Sequence, residues 1–194
     1  MKKLSLILLV IVLSTISAFA QDAKDVNKEA TKMDAFASKT GVITKYIDYN
    51  LPNIKLTYGI AETKIRQLYS GQEIGYFYQI SKEGKYDTKT ASIAYEDLIE
   101  VLKAIQSLKE ESEADKILNP DYLENKFVTD DGFKIGYYVS NGKVAWFLTL
   151  EKYGSGNTIF LNSVTDIETA FNDAKTKIET LKNKTNEELL KKDQ

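Results

Sequence analysis

The stretch from Phe133 to Leu150 constrains this chain most, because Asn141-Gly142 stands between two runs that alternate with a strand-like period. Asn-Gly is the strongest short-range signal for a two-residue type I′ turn, so the stretch predicts a β-hairpin. Pairing outward from the turn sets Val139 against Val144, Tyr137 against Trp146, Ile135 against Leu148 and Phe133 against Leu150. Directly opposed residues share one face of a sheet, so this register gathers large apolar side chains on one side. The other side receives Lys134, Gly136, Tyr138, Ser140, Lys143, Ala145, Phe147 and Thr149. A slip of one residue would mix the two sets, so the register is specified by the pattern itself.

The same test works earlier in the chain. Gly71-Gln72 suits a type II′ turn, with Gly first, and it pairs Tyr69 with Ile74, Gln67 with Tyr76, Ile65 with Tyr78 and Thr63 with Ile80. Laid without gaps so that Lys64 meets Lys134, the two stretches also match at Ile65/Ile135, Ser70/Ser140, Phe77/Phe147, Lys82/Lys152, Gly84/Gly154 and Thr88/Thr158. Coincident turns, faces and flanking helices predict a duplicated unit, with convergent hairpins as the simpler alternative.

Around these hairpins the chain supplies further elements. Val26, Ala30, Met33 and Ala37 recur at helical spacing between Asp22 and Lys39, and Gly41 stands where a helix would end. Val42 to Asp48 and Ile54 to Gly59 read as strands about a turn at Asn50-Leu51-Pro52-Asn53, and Thr88 to Ile93 as another strand after a turn at Glu83-Gly84-Lys85. Glu96 to about Lys109 reads as a helix with Leu98, Leu102 and Ile105 on one face and carboxylates in its first turn. In the second unit Lys126 to Thr129 reads as a strand, Asp131-Gly132 as a tight turn and Thr158 to Asn162 as a strand. Thr165-Asp166-Ile167-Glu168 reads as a capping box opening a helix whose stripe is Ile167, Phe171, Ala174, Ile178 and Leu181.

The fold class predicted is therefore α+β: two tandem repeats of an antiparallel β-meander of three to four strands followed by a helix, with an extra N-terminal helix. The expected organisation is a signal peptide over 1–20, a first repeat over 21–110, a linker over 111–124, a second repeat over 125–182 and a polar tail over 183–194. In its order of elements the plan resembles the TATA-binding-protein-like saddle and the β-lactamase-inhibitor-protein-like tandem fold. The resemblance is one of layout and implies no residue roles.

Met1-Lys2-Lys3, the apolar run Leu4 to Leu13 broken only by Ser5, and Ala18-Phe19-Ala20 together have the form of a cleavable secretory signal, which predicts a periplasmic or secreted protein. An uncleaved N-terminal anchor is the alternative. The run is too short for a spanning helix, so no transmembrane span is expected after cleavage. With no Cys, there is neither a lipoprotein anchor nor a disulfide framework.

Composition bounds the chemistry more firmly. The chain has no His, which removes Ser-His-Asp triads, His general bases and the usual zinc ligand sets, and without Cys there is no thiol chemistry. Net charge is −2 and Arg66 is the only arginine, so nucleic acid is not an expected partner. Ser140-Asn141-Gly142-Lys143 matches S-x-x-K and Lys39-Thr40-Gly41 matches K-T-G, but the first flanks a hairpin turn instead of lying on a helix, and the order is reversed. The acid pairs Glu96/Asp97 and Asp130/Asp131 read as a helix start and a turn. No cofactor or metal is implied.

What remains is the hairpin face turned from the core, where Arg66 opposes Phe77, Leu68 opposes Gly75, Gly136 opposes Phe147 and Tyr138 opposes Ala145. Two readings stay open: adjacent strands or the opposite repeat bury this face, or Leu68, Phe77, Tyr138 and Phe147 line a groove or patch for a small apolar ligand or an envelope protein. The twelve Tyr and one Trp also suggest a flat carbohydrate or peptide platform, although most of them fall on the core face; Tyr46, Tyr49, Tyr86 and Tyr153 have no assigned place. The expectation is an exported, non-enzymatic binding or protein-interaction module. The alternative is an enzyme using carboxylate or Tyr/Lys groups in a cleft between the repeats.

Overall fold

Both hairpins form in the predicted registers. In the computed structural model, which describes residues 30–118 and 120–192, the chain runs α1 (Lys32–Ala37), β1 (Thr44–Lys55), β2 (Ile60–Ser70), β3 (Glu73–Glu83), β4 (Thr88–Ala94), α2 (Tyr95–Leu118), β5 (Leu123–Val128), β6 (Lys134–Ser140), β7 (Lys143–Thr149), β8 (Thr158–Leu161) and α3 (Val164–Lys192). The expected signal peptide and the first part of the expected N-terminal helix lie outside the described residues. Strands β1 to β4 form one antiparallel meander and β5 to β8 another, each followed by a helix, which is the α+β plan with two repeat-like units.

Turn chemistry sets the registers. Asn141 and Gly142 both take positive φ, 51° and 67°, as a type I′ turn requires, and Val139, Tyr137 and Ile135 face Val144, Trp146 and Leu148. Gly71 alone takes positive φ (61°) in the first hairpin, and Tyr69, Gln67, Ile65 and Thr63 face Ile74, Tyr76, Tyr78 and Ile80. Ile65, Tyr78 and Ile80 join Ile135, Tyr137, Val139 and Leu148 in a single core shared by both repeats.

Three local expectations are corrected. Asn50 to Asn53 does not turn the chain: β1 runs through it, with a bulge between Leu51 and Ile54. Pro52 has no N–H to give a ladder and is tolerated on this edge strand as part of the bulge, where Thr63 Oγ1 donates to its carbonyl at 2.8 Å. Among the described residues the expected N-terminal helix runs from Lys32, where Thr31 caps it in a full capping box with Asp34, to Ala37, ahead of Gly41. Helix α3 begins at Val164, with the Ser163 hydroxyl accepting from the Thr165 amide at 3.1 Å. Glu168 is thus no capping partner; it takes Lys109 Nζ at 2.7 Å and Gln106 Nε2 at 2.5 Å on α2.

The helices cross between repeats. Helix α2 packs on β3 and β4 of its own sheet and on β5, β6 and β7 of the next, while α3 lies along β1 and β2 of the first sheet and against α2. Leu98, Val101, Ile105 and Leu108 of α2 and the expected stripe of α3, Ile167, Phe171, Ala174, Ile178 and Leu181, are buried against both meanders. Phe171 meets Tyr78 of the first sheet edge-on at 5.2 Å and Phe133 at the start of the second hairpin at 6.0 Å. The helical run of α2 continues through the acidic stretch Glu110–Lys116 to Leu118, where Asp115 accepts from the buried Tyr137 hydroxyl at 2.6 Å. Among the described residues no helix is long and apolar enough to cross a membrane.

Candidate functional site

With the two long helices on the core side, the opposite faces of the two meanders are the places where the repeats diverge. The first is closed. Leu68, Phe77 and Ala94 are buried beneath Met33, Phe36 and Ala37 of α1. Phe36 meets Phe77 edge-on, with centroids 6.1 Å apart, and the gap for the two rings is provided by Gly75, where a Cβ would come within 2.8 Å of the Phe77 ring and 3.3 Å of Phe36. The four side chains expected to form one surface are therefore divided: Leu68 and Phe77 lie under a helix, and only Tyr138 and Phe147 belong to the second sheet's outer face.

Helix α1 is held by charges from both repeats. Lys32 Nζ reaches Asp97 Oδ1 at 2.5 Å at the start of α2 and Asp130 Oδ2 at 3.4 Å in the β5–β6 turn. The Lys32 amide meanwhile donates to both oxygens of Asp131 at 3.0 Å. The hydrogen bond from Lys32 to Asp97 is the main cause that raises the Lys32 ammonium pKa, and burial lifts the Asp131 carboxyl against the pull of the Lys32 amide. Sequence reading treated these acids as two unrelated local features; the fold brings them together around one lysine. Their work is to anchor α1, and among the described residues no group of three or more metal-ligating side chains is poised to hold a metal ion.

The second sheet's outer face can be laid out in rows from the strand pairing. Val128, Lys134, Thr149 and Thr158 cross it in one row, Lys126, Gly136, Phe147 and Phe160 in the next, and Glu124, Tyr138 and Ala145 in a third. Tyr122, just before β5, stacks on Tyr138 with centroids 6.1 Å apart and planes 22° from parallel. Phe160 meets Tyr138 edge-on at 6.3 Å. Phe147 is the buried floor, whereas Tyr122 is 61% and Phe160 44% exposed. Together with Glu124, Lys126, Lys134, Thr149 and Thr158 these rings line an open hollow of about 350 Å³.

Its polar rim is ordered. Glu124 accepts from the Tyr122 hydroxyl at 2.6 Å and pairs with Lys126. That pairing holds the Glu124 carboxyl below its ordinary range, Lys126 first and Tyr122 second, and the same contact raises the Tyr122 phenol. Thr149 Oγ1 and Thr158 Oγ1 are 3.2 Å apart. Lys134 makes no salt bridge among the described residues.

Comparison of the two faces row by row explains that lysine. In the first sheet the counterpart of Lys134 is Lys64, which lies 2.8 Å from Asp48, and Asp48 also binds Arg66 through two hydrogen bonds of 2.7 and 2.8 Å. The strand pairing that sets Asp48 beside Arg66 sets Lys126 beside Gly136. The acid that neutralises the first sheet is thus replaced by a second cation. Leu68, Gly75 and Ala94 are likewise replaced by the larger Tyr138, Ala145 and Phe160.

Tyr122 and Phe160 were not singled out by sequence reading. Phe160 was within reach of it, since Ile159 and Leu161 are buried and period-two alternation turns Phe160 outward. Tyr122 lies in a non-repetitive segment after Pro120, where no periodicity exists. Of the unplaced tyrosines, Tyr46 lies under the Arg66 guanidinium at 5.3 Å, Tyr49 donates to Gln67 Oε1 at 3.3 Å, and Tyr86 and Tyr153 are exposed. No protein-family model, no curated protein and no solved structure matches this chain.

Proposed function

We propose that this chain is an exported, non-enzymatic binding module of the cell envelope whose ligand or partner surface is the outer face of the second meander. Export is supported by the signal-like form of residues 1–20. The observation that carries the binding reading is the asymmetry of the two sheets: the same face that α1 closes over Leu68 and Phe77 is left open over Tyr138 and Phe147, with Tyr122 and Phe160 exposed beside them. Exposed rings grouped over a buried aromatic floor, with a few ordered polar groups, are what a recognition surface offers. Glu124, Lys126 and the Tyr122 hydroxyl at the hollow are engaged with one another, and the Thr149 and Thr158 hydroxyls lie 3.2 Å apart.

The test is native mass spectrometry of protein purified from its export compartment, comparing the wild type with Phe160→Ala and Tyr122→Ala. A bound mass retained by the wild type and lost by both variants supports the reading. A mass retained equally by all three places binding elsewhere.

A further inference from the structure

The shape and charge of the hollow narrow what it takes. In the first sheet, Gly75 and Ala94 beside Leu68 leave room for a helix to sink the Phe36 ring into the face. In the second sheet Tyr138, Ala145 and Phe160 fill that depth, and the Tyr122 ring is stacked on Tyr138 with planes 22° from parallel. The surface offers rings to lie against instead of a pit to fill, so a helix bearing an aromatic anchor gains little here. A ligand with a flat apolar face and a polar edge gains more. A pyranose ring has that form, with C–H groups on its face and hydroxyls around its rim, and aromatic side chains present the matching surface. The rim of the hollow supplies hydroxyls from Thr149 and Thr158, a carboxylate from Glu124 and ammonium groups from Lys126 and Lys134.

The charge of the rim selects further. Glu124 is committed to Lys126 and to the Tyr122 hydroxyl, and the position that carries Asp48 in the first sheet carries Lys126 in the second. Lys134 is left without a salt bridge among the described residues, at the edge of the ring platform and in the same row as the two threonine hydroxyls. We infer that the outer face of β5 to β8 binds an acidic sugar, its ring laid against the exposed rings of Tyr122 and Phe160, which Tyr138 supports between them, and its carboxylate taken by Lys134. The sugar supplies the direct ion pair that Asp48 supplies to Lys64 in the first repeat, whereas Glu124, the acid on which Lys134 acts through its charge, is already bound to Lys126. Because the platform is shallow, the match is to a residue within a chain that passes over the face, not to a molecule enclosed by it.

This inference rests on the proposed binding face, and the experiment separates the two. The purified protein is titrated with trigalacturonate, with neutral maltotriose, and with an acidic helical peptide carrying one Phe, by calorimetry and by amide shifts in NMR spectra. Trigalacturonate is expected to shift amides of β5 to β8 only, and to bind at least tenfold more tightly than maltotriose. Lys134→Met should reduce its affinity about tenfold, to the neutral-sugar level, and Tyr122→Ala should weaken both sugars. Tyr122 is exposed and Lys134 half-buried, and unchanged amide shifts outside β5 to β8 in each variant check that the fold is retained. Equal binding of the two sugars, or no effect of Lys134→Met, overturns the acidic-sugar assignment. Shifts on the same strands with the peptide but with neither sugar overturn it too, and leave the binding face standing. Shifts from all probes lying outside β5 to β8 overturn both.

Discussion

Phe36 lies edge-on to Phe77, centroids 6.1 Å apart and planes at 68°, so a six-residue helix contributes the ring that completes a sheet face. So short a helix is not stable on its own, and its position depends on this contact and on the Lys32 anchor. Phe36→Ala should destabilise the protein by about 2 kcal/mol, less than a fully buried ring because Phe36 is half-buried. Hydrophobic dye binding is expected to rise as Leu68 and Phe77 lose their cover. Unchanged dye binding would mean that α1 stays docked without its ring.

Gly136 should tolerate no side chain. A Cβ there would stand 2.3 Å from the Asn125 carbonyl oxygen and 2.7 Å from Lys126 Cβ, so Gly136→Ala must push β5 away from β6. The expected loss is about 2 kcal/mol, the range of an overpacked core, read as a lower urea midpoint. Amide exchange should accelerate most in β5.

Tyr137 ties the second sheet to α2. Its hydroxyl donates to Asp115 at 2.6 Å and accepts from Asn125 Nδ2 at 3.3 Å, and burial, then the Asp115 contact, push its pKa up to about 12. Tyr137→Phe keeps the ring and removes the bond to a charged acceptor, which should destabilise by about 1 to 2 kcal/mol. A double variant with Asp115→Asn should lose less than the sum of the two singles. Additive losses would show that the two groups act independently.

Acid should weaken the first sheet through Asp48. Its folded pKa is lowered to about 2 from 3.8, chiefly by the Arg66 hydrogen bonds, so the stabilisation is present above about pH 4 and is lost as pH falls through 2. Partial exposure of the pair limits this to about 1 kcal/mol. Asp48→Asn should be less stable than the wild type at pH 6, and the difference should shrink towards pH 2 in urea titrations followed by Trp146 fluorescence. A difference that is constant with pH would point to lost packing instead.

The hairpins were legible because one signal, period-two alternation about a glycine-containing turn, decides turn, register and face together, and Tyr137 and Trp146 face each other as that signal requires. Pro52 was less legible, since a turn and an edge bulge share the same residues and only pairing with Thr63 decides between them. Ser163 and Thr165 are both acceptable cap residues, and the choice fell to the tertiary pull of Lys109 on Glu168. The cluster about Lys32 had no sequence signature, because Asp97 and Asp131 are distant along the chain and are brought to Lys32 only by the tertiary fold. Of the candidate face, Tyr138 and Phe147 were readable from the hairpin, whereas what covered Leu68 and Phe77 depended on where α1 docked.

The crossing of the two long helices carries a further consequence. The sheet encoded by the first half of the chain is covered along β1 and β2 by α3, encoded in the second half, and the sheet of the second half is covered by α2, encoded in the first. Neither half therefore carries its whole cover. Cut in the loop before β5, the chain would yield fragments that each expose an apolar sheet face and regain order only by finding each other, as the two halves of a clasp do.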